Sequence, residues 1–75
     1  MNKARRATLN KIVNALSELR DELETVHDEE EEAMDNMPES LQESERYEIM
    51  EEAVDSMSDA LDSIEDAIDS IEGIF

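Results

Sequence analysis

The chain has no cysteine and no tryptophan, and only one glycine, one proline, one tyrosine and one phenylalanine. Without cysteine there is no disulfide framework, no thiol nucleophile and no thiolate set for zinc. A single glycine leaves no Gly-rich loop to cradle a phosphate. Strand signals are missing as well. His27 is the only histidine, so no pair of imidazoles is available to a metal, and beside an acid run it reads as a surface residue. Basic residues are scarce: six Lys plus Arg stand against 23 Asp plus Glu, for a net charge of −17. A chain so charged avoids nucleic acid and anionic membranes and seeks basic protein surfaces. No apolar run follows the basic start Lys3, Arg5 and Arg6, so neither a signal peptide nor a membrane span is expected.

What is present is a repeat. Residues 53–73 read Ala-Val-Asp-Ser-Met-Ser-Asp, Ala-Leu-Asp-Ser-Ile-Glu-Asp, Ala-Ile-Asp-Ser-Ile-Glu-Gly. Apolar residues alternate at spacings of three and four, which places them on one stripe of a helix. The stripe is Tyr47, Met50, Val54, Met57, Leu61, Ile64, Ile68, Ile71 and Phe75. A period of seven implies a seam against another helix. Ala53, Ala60 and Ala67 flank it and permit close approach of a partner. Gly73, followed by Ile74 and Phe75, reads as a helix stop with an apolar contact folded back.

A second stripe runs through the first half: Leu9, Ile12, Leu16, Leu19, Leu23, Val26, then Glu30, Ala33 and Met37, with Val13 and Ala15 widening it. Glu30 interrupts it. Residues 28–32, Asp-Glu-Glu-Glu-Glu, read as a continuous but fraying part of the same helix. Asn2 and Thr8 both suit its N-cap. Pro38 pushes Met37 out of the helical region. Asn36 with Glu39, and Ser40 with Glu43, have capping-box spacing, and Ser44 is a third candidate cap.

The fold expected is all-α: an antiparallel, coiled-coil-like hairpin in a single domain, with helices over about 3–35 and 45–72 and a connection over 36–44. Folding about residues 39–41 sets residue i beside approximately 79 minus i. That register brings Lys3, Arg5, Arg6 and Lys11 near Asp66, Asp69 and Glu72. Residues 1–26 carry +1 and residues 27–75 carry −18. One seam is a thin core for a chain this short. Pairing is therefore expected, most simply a two-fold homodimer forming a four-helix bundle.

Asp55, Asp59, Asp62, Asp66 and Asp69 alternate by four and three on the face opposite the seam, with Glu65 beside them. Aspartate is a mediocre helix former, and like charges one turn apart repel. Glutamate would solubilise at less cost, so an aspartate ladder points to a surface presented to a cationic partner. Diffuse Ca²⁺ or Mg²⁺ binding is compatible with the acid run, but it lacks the spaced ligands and central glycine of an EF-hand. Paired carboxylates do acid–base work only in a shielded pocket, which two long helices do not offer. The expectation is a non-enzyme with no cofactor and no dedicated metal.

The connection Asp35-Asn36-Met37-Pro38-Glu39-Ser40-Leu41-Gln42-Glu43-Ser44-Glu45-Arg46, the start Asn2-Lys3-Ala4-Arg5-Arg6 and the tail Ala-Ile-Asp-Ser-Ile resemble small acidic helical proteins of phages and integrating elements of Gram-positive bacteria. That resemblance carries no family activity with it. It implies a setting, the cytoplasm of a bacterial host, where accessory genes of mobile elements often encode inhibitors of defence nucleases such as CRISPR effectors, some of them DNA mimics. The function expected is thus occupation of a basic surface on a nucleic-acid-handling protein by the aspartate ladder. The alternative is a structural or oligomerisation coiled coil.

Overall fold

A computed structural model describes residues 1–75. Helix α1 spans Lys3–Asp35, a single 3-10 turn spans Glu39–Leu41, and helix α2 spans Glu45–Glu72. The two helices lie side by side as an antiparallel hairpin, in a rod of 59 × 15 × 13 Å.

Local chemistry sets the ends. Asn2 is extended, and its side-chain oxygen accepts from the Arg5 N–H at 2.8 Å, which satisfies one of the donors a helix start leaves free. The Thr8 hydroxyl donates to the Ala4 carbonyl at 3.1 Å instead. α1 runs unbroken through residues 28–32; glutamate's propensity carries the helix despite the charge. It stops at Asn36, two residues before Pro38. Of the three candidate caps for α2, Ser44 takes the role. Its backbone is extended, its Oγ accepts from the Tyr47 N–H at 3.3 Å, and its hydroxyl donates to the Leu41 carbonyl at 2.6 Å. Glu45 and Glu48 in the first turn face the positive end of the helix dipole. α2 stops at Gly73 as expected, but without the left-handed cap and folded-back apolar contact. The glycine's φ is −66°, not left-handed, and Ile74 and Phe75 stay 51% and 47% exposed rather than folding back.

Two seams meet. That of α2 is the expected one: Met50, Val54, Met57, Leu61, Ile64 and Ile71 are half-buried and Ile68 is buried. That of α1 is rotated from the expected stripe. Leu9, Leu16 and Leu23 are in it, but Ile12, Leu19 and Val26 are 41%, 55% and 52% exposed. Val13, Arg20, His27 and Met34 replace them, alternating four and three with Leu9, Leu16, Leu23, Glu30 and Met37. Both stripes share every second position, so pattern alone does not separate them. Chemistry does, because Arg20 and His27 find polar partners on α2. Met34 also fills space that Ala33 cannot, and it is one of only two buried residues, with Ile68.

Candidate functional site

Two side chains of α1 cross to α2 on the same flank of the seam. His27 Nε2 lies 2.9 Å from Ser58 Oγ. Arg20 reaches Glu65 at 3.8 Å and Asp21 at 3.1 Å. Both crossings pair residue i with residue 85 minus i, a shift of about six from the expected register. Lys3, Arg5, Arg6 and Lys11 therefore lie at or past the end of α2 and make no ion pair with Asp66, Asp69 or Glu72. Arg20–Glu65 is the one ion pair between the helices.

His27 is not a free surface residue, as its place beside the acid run suggests. Its side chain is 14% exposed. Nδ1 lies 3.0 Å from Asp28 Oδ1, and a carboxylate only accepts, so Nδ1–H donates. In the neutral ring Nε2 then accepts from the Ser58 hydroxyl. Arg20 has its guanidinium pKa raised, chiefly by the hydrogen bond to Asp21 and then by that carboxylate's charge. Its Nε is buried without a partner, so the seam holds one unmet donor.

These crossings define a polar flank. Its groove is lined by Glu24, His27 and Asp28 of α1 and by Ser58, Leu61, Asp62 and Glu65 of α2. A second hollow further along α2 is lined only by Glu48, Glu51, Glu52 and Asp55. Asp55, Asp59, Asp62, Glu65, Asp66 and Asp69 are all exposed. Heptad geometry puts Asp55, Asp62 and Asp69 beside the polar flank and Asp59 and Asp66 on the outermost line of the helix. Of the six, only Glu65 has a cationic neighbour within 4 Å. Seventeen net charges over 59 Å give one per about 3.5 Å, close to the ~3.4 Å per phosphate of one DNA strand.

The opposite flank differs in kind. On α1 it carries Ile12, Leu19, Val26 and Ala33; on α2 it carries Ala53, Ala60, Ala67 and Ile74, each one residue before a seam position. All eight are exposed. In an antiparallel pair, equivalent flanking positions of the two helices fall on the same side, so the apolar residues share one face. The sequence pattern marked the alanines but assigned Ile12, Leu19 and Val26 to the core.

No group of three or more His, Asp or Glu side chains is placed to hold a metal ion. No helix is long and apolar enough to cross a membrane. Comparison of the chain with protein-family models, curated proteins and solved structures gives no match.

Proposed function

We propose that the chain is a non-enzymatic acidic binding protein that occupies the basic, nucleic-acid-binding surface of another protein. Its carboxylates stand where phosphates would lie. The observation that carries this reading is the exposed row Asp55, Asp59, Asp62, Asp66 and Asp69, unpaired with any base, on a rod whose net charge per length equals that of a DNA strand. The partner is a nucleic-acid-handling protein of a bacterial host, in the class of defence nucleases that includes CRISPR effectors, and the chain belongs to a phage or mobile element. Binding of this kind displaces counterions and weakens steeply with salt.

The test replaces those five aspartates with asparagine and compares both chains as baits in a bacterial lysate at low and high salt. The expected result is one nucleic-acid-binding protein held by the native chain at low salt, released at high salt and absent from the variant, with helicity unchanged by circular dichroism. Equal capture by both baits contradicts the proposal. The competing reading, an oligomerisation coiled coil with no such target, is favoured by the exposed apolar face. Salt-insensitive self-association with no second protein retained is the outcome that selects it.

A further inference from the structure

The hairpin exposes more surface than its mass warrants. It exposes 5670 Å² at 8.6 kDa, whereas a compact monomer of that mass exposes roughly 4,700 Å². The excess is on the order of 1,000 Å² per chain, so two chains that cover it bury about 2,000 Å², the size of a stable specific interface. Only Met34 and Ile68 are buried within the hairpin itself.

One face can be covered with little charge buried: its only acids are Glu22 and Glu29, both on α1. Along α2 the apolar flank reads Ile49, Ala53, Ser56, Ala60, Ser63, Ala67, Ser70 and Ile74, with no ionisable group. Facing it on α1 are Ile12, Ala15, Leu19 and Val26, with Glu22 and Glu29 on the same line. On the other flank, Glu24, Asp28, Asp62 and Glu65 would lose hydration with little cation to replace it.

We infer that this flank binds a second copy of the chain, with the two hairpins antiparallel, so that the open end of each lies over the turn end of the other. Charge sets the direction. Residues 1–17 hold Lys3, Arg5, Arg6 and Lys11 and no acid, while residues 67–75 beside them add Asp69 and Glu72. The open end is thus +2, and the remainder of the chain must carry −19 of the −17 total. Parallel hairpins would stack the two acidic ends. Antiparallel hairpins bring each basic start to its partner's acidic turn end, where Asp35, Glu39, Glu43 and Glu45 lie. The exposure of Ile12, Leu19 and Val26 in the single hairpin then has a cause: they form the core between copies. The aspartate ladder stays outside. One consequence rests on the function proposed above: 34 charges over about the same 59 Å give one per about 1.7 Å, which is the density of duplex DNA.

Sedimentation equilibrium tests the pairing. The native chain is expected at twice 8.6 kDa. The Leu19→Glu, Val26→Glu chain is expected at the single mass or unfolded, and Thr25→Glu, on the outer side of α1, should leave the dimer intact. Direction is read separately, from a nitroxide on an Ala33→Cys chain, made unambiguous by the absence of native cysteine. Antiparallel hairpins put the two labels roughly 30 Å apart, from about eleven residues either side of the middle at ~1.5 Å each; parallel hairpins put them well under that. A native chain that is fully helical at the single mass up to its solubility limit overturns the inference, as does a helical Leu19→Glu, Val26→Glu chain that stays dimeric. Short label distances overturn the antiparallel arrangement. A monomeric native chain whose target binding still depends on the five aspartates would fail this inference and leave the function standing.

Discussion

His27 and Ser58 meet across the seam, ring nitrogen to hydroxyl at 2.9 Å, on the face of α1 that is turned inward. With His27 and Arg20 directed at Ser58 and Glu65, the larger aliphatics Leu19 and Val26 are left outside. Breaking the His27–Ser58 bond with Ser58→Ala or His27→Ala should cost about 1 kcal/mol each. The double variant should cost little more than the worse single one, because the two changes remove the same bond. Chemical denaturation of the four chains measures this.

Arg20 occupies a seam position with its Nε unmet. Its charge stabilises the hairpin through Asp21 and Glu65, and its stem packs as an aliphatic. Arg20→Leu removes the orphan donor and completes the apolar seam, and the ion pairs it gives up are solvent-exposed and worth little. The thermal midpoint should rise by a few degrees, as a circular dichroism melt would record. A fall would mean that the ion pairs outweigh packing.

Ile68 is buried and has few buried neighbours to share its load. Ile68→Ala should cost about 2–4 kcal/mol, a large part of the stability of a small domain. Loss of most of the helical signal at room temperature is expected. The same change at Leu41, exposed in the turn, should leave the helix content nearly intact.

Ser44→Ala should destabilise the chain by about 1 kcal/mol by removing the cap of α2, whereas Ser40→Ala should be neutral. Both are candidate caps in the sequence, and only Ser40 has an acid, Glu43, at capping-box spacing; Ser44 has Tyr47 there. What separates them is the backbone: Ser44 is extended and its Oγ reaches the Tyr47 N–H.

Salt should act in opposite senses on folding and binding. Self-repulsion among 23 acids facing six bases is screened between roughly 50 and 500 mM salt. The melting midpoint should therefore rise over that range, while capture of a basic partner falls. Melts and pull-downs in the same buffers give both trends.

The hairpin was legible because sustained heptads, one proline and clustered cap residues all point to two paired helices. The seam of α1 was legible only at the positions its two candidate stripes share: Leu9, Leu16, Leu23, Glu30 and Met37. Counting apolar residues favours Ile12, Leu19 and Val26, but the choice is made by partners 31 to 45 residues away, which local periodicity does not register. The same blindness affects charge. The offset of the helices shows only once Arg20 meets Glu65, and it moves the basic start away from the acids it seemed to match. The aspartate ladder, by contrast, needs only the helix repeat to be placed, and all its members are exposed.

The two-faced hairpin depends most on which side of α1 faces α2 within one chain. Isotope-filtered NMR that separates intrachain from interchain contacts reads this directly. His27 ring protons should show intrachain contacts to Ser58 and Leu61, and the methyls of Leu19 and Val26 should show none to Leu61 or Ile64 of their own chain. Intrachain contacts from Leu19 and Val26 to Leu61 and Ile64, with a solvent-exposed His27 ring, would contradict the account.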